Sequence, residues 1–237
     1  MNIWGIIIGG ATGFAIGGPI GALLGAAAGH YAEAKLKGPV DPFESKKIAF
    51  TVAIIALSAK MAKADGVIKR SEITAFRQKV HIPAEDLKRV GQFWDLARQT
   101  PDGYQSYAKQ IVDLFGSGAP ILEQLLELLF FIAKADGDIS SPEWEYLSSV
   151  SSIFGFNENE FHRMADIYGS ENGAAHRILG ISENANENEI KVAWRKLVKE
   201  NHPDKLISQG LPTEFVQAAT DRLRLINTAY HSMLKHK

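Results

Sequence analysis

The chain contains no cysteine. This removes disulfides, Cys-ligated zinc and thiol chemistry together, and it is compatible with a reducing compartment. An excess of either charge is also missing: 26 Lys and Arg stand against 27 Asp and Glu, a net of −1. A strongly basic chain that binds nucleic acid along its whole length is thereby excluded. From Ile3 to Gly29 there is no charged side chain at all. Elsewhere the composition is ordinary, with 46% hydrophobic and 22% charged residues, which argues against wholesale disorder. At 237 residues the chain can form one or two domains, each with its own core.

What the N-terminal stretch has is glycine. Gly5, Gly9, Gly13, Gly17, Gly21, Gly25 and Gly29 recur at every fourth position. On a helix this spacing lays a groove along one face, where a second helix can approach to backbone contact. Residues 1–30 therefore read as a glycine-rich, single-pass transmembrane anchor that can pair with a second copy. Ile6, Ile16, Ile20 and Leu24 would meet lipid or flank the groove. Lys35, Lys37, Lys46 and Lys47 follow the run and no cation precedes it, so the domains after it are expected in the cytoplasm. The alternatives are a cleaved signal peptide, which normally begins with basic residues, and a peripheral glycine-rich hairpin turning at Gly18-Pro19. The glycine-rich stretch from Ile6 to Gly13 also suggests a dinucleotide-binding turn. No alternating strand–helix pattern follows it, and no Gly-Lys-Ser/Thr completes a P-loop.

After the break at Gly38-Pro39, apolar residues recur at three and four. Helices are expected over about 43–64, 69–80, 83–99, 103–115, 119–135, 140–154 and 157–169. The region repeats. Lys63-Ala64-Asp65-Gly66 returns as Lys134-Ala135-Asp136-Gly137, with Ile68 matching Ile139 and Glu72 matching Glu143. Upstream, Ile54, Leu57 and Met61 match Leu125, Leu128 and Ile132. Two such units imply a pseudo-repeated helical bundle over residues 43–169. Ser140 and Glu143 have capping-box spacing. The doubled D-G-x-I-x-x-x-E pattern resembles the TerB-like domain of tellurite resistance. That resemblance raises metal binding by acidic residues at the turns, but the roughly six oxygens a hard cation needs do not converge here. No metal ligand and no cofactor is therefore assigned. Trp94 and Trp144 read as core or rim packing, His81 and His162 as surface residues.

Residues 175–237 carry ten basic and seven acidic side chains. Glu187 to Asn201 reads as an amphipathic helix, with Ile190, Ala193, Trp194, Leu197 and Val198 on its apolar side and Lys191, Arg195, Lys196 and Lys199 on a basic one. Proline disfavours helical geometry just before it. His202-Pro203-Asp204, with Lys205 after it, is therefore expected on an exposed loop. A last helix from about Pro212 to Leu234 should turn Phe215, Ala219, Leu223, Ile226 and Tyr230 toward its partner helix.

Ile178-Leu179-Gly180-Ile181, Ala193-Trp194-Arg195-Lys196-Leu197, His202-Pro203-Asp204-Lys205 and Ile226-Asn227-Thr228-Ala229-Tyr230, in this order, resemble a DnaJ-type J-domain over residues 172–237. The family often has Tyr where this chain has Ala175-His176 and Trp194. With the anchor and the TerB-like middle, the chain is similar to membrane-anchored J-domain co-chaperones of the bacterial inner membrane. The resemblance implies an all-α protein that hydrolyses nothing itself. It would dock on a DnaK-type ATPase chaperone through His202, Pro203, Asp204, Lys205 and the four helix cations, stimulate ATP hydrolysis and deliver the chaperone to clients. A competing reading makes the TerB-like part an interaction scaffold or envelope-stress sensor, with or without metal. A nucleic-acid module has the least support, since no base-reading motif is present and the segment's excess of three positive charges is modest.

Overall fold

The computed structural model describes residues 18–21, 42–64, 70–99, 103–169 and 175–235, and every regular element among them is helical. The first long helix, α1 (Pro42–Ala64), is mainly apolar, and from Ile48 to Ala62 every residue is buried, Thr51, Ser58 and Lys60 included. A helix of that composition has to be the centre of its domain. It is surrounded by α3 (Leu87–Ala97), α4 (Tyr104–Phe115), α5 (Pro120–Ala133) and α6 (Ser141–Phe154), while α2 (Arg70–Lys79) and α7 (Glu158–Gly169) lie against α5.

The repeat read in the sequence marks equivalent core positions. Ile54, Leu57 and Met61 of α1 are buried, as are Leu125, Leu128 and Ile132 of α5. Ser140 and Glu143 form the expected capping box: the Glu143 carboxylate accepts from the Ser140 N–H at 2.8 Å, and the Glu143 N–H is directed at Ser140 Oγ. Gly137 ends the preceding turn at φ 132°, a conformation that side-chain-bearing residues rarely adopt. Trp94 is buried on Phe76, and Trp144 sits at the rim against Phe161. His81 and His162 are at the surface.

The C-terminal segment adds α8 (Ala175–Leu179), α9 (Glu187–Glu200), α10 (Pro203–Gln209) and α11 (Val216–Lys235). Helices α8 and α9 pack on α11 around a second core of Ile178, Leu179, Ile190, Leu197, Ile226 and Ala229. Trp194 stacks on Tyr230 at 4.4 Å and donates from Nε1 to Asn227 Oδ1 at 2.8 Å. The larger ring thus fills its place with its polar edge satisfied. Asn186 and Glu189 close a second capping box at the start of α9.

Two expectations are corrected here. The tripeptide does not lie on a loop: His202 is the N-cap of α10 and Pro203 its first residue. The same proline that expels residue 202 from a helix is well suited to open the next one, because its fixed φ is helical and its missing N–H is not needed there. Phe215 and Ala219 do not face the hairpin partner either. Both belong to the core of the first bundle, with Phe215 packed edge-on against Phe50 at 5.1 Å. The loop from α10 to α11 and the start of α11 are built into the bundle.

Of the expected anchor, only Gly18–Gly21 falls within the described residues, and it forms one helical turn. Ile20, expected toward lipid or beside the groove, is buried in the first core, and its N–H donates to Gln110 Oε1 at 3.0 Å. Gly21 is buried too; Gly5, Gly9, Gly13, Gly17, Gly25 and Gly29 lie outside the described residues. Among the described residues no helix is long and apolar enough to cross a membrane.

Candidate functional site: an exposed corner held from below

The corner between α9 and α10 is assembled from three local devices. Asn201 ends α9: its backbone N–H and its side-chain Nδ2 both donate to Leu197 O at 2.9 Å. His202 then caps α10, its Nδ1 accepting the Asp204 N–H at 3.2 Å. Finally, Leu206, one turn on, is completely buried and anchors α10 to the first bundle. The result leaves the imidazole half exposed and the Asp204 carboxylate almost wholly so, at 49% and 88%.

The cations beside this corner divide into two sets. At about 100° per residue, Lys191, Arg195 and Lys199 fall within one narrow strip of α9. All three are exposed, and among the described residues none has an ion-pair partner. Val192, 58% exposed, borders the strip. Lys196 is exposed as well but points along another flank, into a cleft of about 750 Å³ between α9 and the bundle that Glu123, Arg163 and Glu200 also line. Its charge is one of those that lower the Glu123 carboxyl. Lys205 sits half-buried on the first turn of α10.

Beneath the corner lies a cluster that sequence reasoning missed. Arg222 of α11 is fully buried between two carboxylates of α5, at 3.2 Å from Glu123 and 2.9 Å from Glu127. Arg163 of α7 also pairs with Glu123. The Arg222–Glu127 approach lacks hydrogen-bond alignment, so it acts as a charge pair. Burial raises the Glu127 carboxyl to about 7, an effect that Arg222 opposes and Glu123 reinforces. At Glu123 burial also pushes upward, but Arg222 and Arg163 together outweigh it and the carboxyl is lowered. Around this cluster, Gln124 Nε2 donates to Asn201 Oδ1 at 3.1 Å, and Lys79 pairs with Asp221 at 2.9 Å. A Cβ on Gly210, at φ 111°, would come within 3.0 Å of Lys46 Cβ and 3.3 Å of Phe115. The signal for all this was present: Glu123, Gln124 and Glu127 interrupt a helix that is otherwise apolar around its circumference.

Among the described residues no three His, Asp or Glu side chains gather where they could hold a metal ion. Asp65 of the first repeat lies outside the described residues.

Comparison with known proteins gives three matches along the chain. Residues 1–38 match the co-chaperone DjlA transmembrane domain, residues 51–166 the tellurite resistance protein TerB, and residues 174–237 the DnaJ domain. A J-domain in this position makes the chain a J-domain protein. More narrowly, it is a DjlA-like J-domain co-chaperone. The co-chaperone protein DjlA of Photobacterium profundum is 27% identical over 99% of both chains. That of Aliivibrio fischeri is 28% identical over 79% of this chain and 78% of its own. That of Coxiella burnetii is 24% identical over 99% of this chain and 98% of its own. No solved structure matches. The matches support, in general terms, a co-chaperone role toward a DnaK-type chaperone, and an N-terminal membrane anchor.

Proposed function

We propose that this chain is an inner-membrane co-chaperone whose J-domain, residues 172–237, stimulates ATP hydrolysis by a DnaK-type chaperone and delivers that chaperone to clients. The observation that carries the proposal is the exposed His202-Pro203-Asp204 corner beside a cationic strip with no ion-pair partner among the described residues. The strip of Lys191, Arg195 and Lys199, with Lys196 and Lys205 at its margins, steers the J-domain onto an acidic surface of the chaperone. Asp204 accepts a cationic group of the partner, a bidentate pair with Arg giving direction as well as attraction. Pro203 fixes the start of α10, and His202 holds the cap with Nδ1 while its ring stays half exposed. Residues 1–30 anchor the chain at the membrane, with the turn at residues 18–21, where Ile20 is buried, joining the anchor to the bundle, and the glycines on either side of that turn bring two copies together. The TerB-like domain, residues 43–169, carries the J-domain.

Asp204→Asn should lower ATPase stimulation by at least about tenfold while the melting temperature stays within about 2 °C, since its side chain reaches into solvent; His202→Gln should lower stimulation as much, with up to about 4 °C lost for the cap it disturbs. Full stimulation by either variant rejects the corner as the interface. Alkaline carbonate extraction tests the anchor: the full chain should remain with the membranes, and its release into the soluble fraction rejects spanning.

A further inference from the structure

The exposed corner is built on residues of another domain. Asn201 is the hinge between the cationic strip of α9 and the N-cap of α10, and it is completely buried. Its Nδ2 and N–H are used within α9, on Leu197 O. Its remaining side-chain acceptor, Oδ1, is met by Gln124 Nε2 from the TerB-like bundle, in a bond that is itself buried. Gln124 is 8% exposed, which leaves it little room to reach elsewhere. The far end of α10 is gripped as well, by Leu206 in the bundle core and by the close approach of Gly210 to Lys46 and Phe115.

We propose that Gln124 is a positioning residue for the chaperone-activating corner: through Asn201 it sets the angle between the strip of α9 and the tripeptide at the start of α10. This rests on the co-chaperone reading above. Its physical basis is that a buried acceptor deprived of its donor is expensive, so Asn201 would move rather than stay unsatisfied. Any movement there re-aims His202 and Asp204 relative to Lys191 and Arg195. Gln124 touches no partner, so its loss should spare encounter and damage the productive geometry.

The test uses the full chain and its DnaK-type partner in single-turnover ATP hydrolysis, over a range of co-chaperone concentrations. Gln124→Met keeps the side chain's length and removes the donor. Its maximal stimulation should fall about fivefold, with the half-maximal concentration within about twofold of the parent's. Asn201→Ala should do the same, and the double variant should be no worse than the worse single, because both break one link. Lys79→Ala, which removes the half-buried pair to Asp221 in the same interface, should leave stimulation unchanged. Full maximal stimulation by Gln124→Met, or singles whose losses multiply in the double, overturns the proposal. Hydrogen exchange gives a readout independent of the partner. The Asp204 and Leu206 amides, both bonded to His202, should lose about tenfold protection in Gln124→Met while α1 keeps its own. Unchanged protection at these two amides overturns the proposal even if the ATPase falls. If instead Asp204→Asn retains full stimulation, the co-chaperone reading of the corner fails, while the exchange result still judges the Gln124 link.

Discussion

Two sets of cations in one J-domain meet opposite fates. Lys191, Arg195 and Lys199 stand in solvent with no partner among the described residues. Arg222, on the helix packed against theirs, is withdrawn from water and held between Glu123 and Glu127. Unpaired exposed charge costs the fold almost nothing and is available to another molecule. Buried charge is tolerated only with compensation, and here the compensation comes from a different domain. The first set stays exposed at the surface, and the second holds the helix that carries it against the bundle.

The comparison breaks most visibly at Arg222. Arg222→Met removes the cation that, among the described residues, alone contacts both carboxylates, and it takes from buried Glu127 its ion-pair partner. Unfolding in denaturant should show a loss of about 3 kcal/mol. A loss below about 1 kcal/mol would mean that the cluster is wetter, and the domains less firmly joined, than the burial of Arg222 implies.

The next effect is a pH dependence with an unusual sign. The Glu127 carboxyl lies near 7 in the folded chain, against an ordinary value near 4.5, with burial the main cause. Between these values the folded state therefore holds the extra proton. The stabilisation that this proton gives is complete below the unfolded value and is lost as pH rises through about 7, up to about 3 kcal/mol. Glu123 is lowered and works the other way, but its contribution is lost only in more acidic solution. Melting temperature should therefore fall between pH 5 and pH 8, and Glu127→Gln, a permanent stand-in for the protonated acid, should flatten the curve. An equally steep fall in the Gln variant would assign the dependence to another group.

A smaller loss is expected inside the bundle. Ser140→Ala removes one half of the capping box on α6 and should cost about 1 kcal/mol, lowering the melting temperature by about 2–4 °C. Stimulation of the partner should be unaffected, since α6 lies away from the corner. A change in stimulation without a change in stability would tie α6 to the interface after all.

How much of this was legible without coordinates differs by region for a physical reason. Helices in the bundle follow from local periodicity, so α1 and α4 to α7 begin and end within about two residues of where the apolar spacing puts them. The Ser140–Glu143 box was legible because its two halves are three residues apart. The Asn186–Glu189 box has the same spacing and was overlooked. The tripeptide was recognised, but its setting was misread, because proline both ends one helix and begins another. Which role applies depends on whether Leu206 has a core to enter. That core belongs to the other domain, and so does the partner of Arg222. Nothing local in α11 distinguishes Arg222 from Arg224, which is exposed and pairs with Asp221. The interdomain contact is the part that periodicity cannot reach, and α5, with charge inside an apolar helix, was its one visible trace.

The smallest effects bear on the strip itself. Lys191→Gln and Arg195→Gln should each leave stability within about 0.5 kcal/mol, because both side chains are exposed and neither has an ion-pair partner among the described residues. They should slow association with the DnaK-type partner about two- to fivefold at low salt, and the difference should close as salt screens the attraction. Lys196→Gln separates steering from position. Its charge faces the cleft and Glu123 rather than the strip, so it should slow association less than Lys191→Gln does, and it should slightly weaken the hold on Glu123. Stopped-flow association at two ionic strengths reads this directly. Equal slowing by all three substitutions would mean that the partner reads the total charge of α9, and that the division of its cations into an outward strip and an inward flank has no bearing on the encounter.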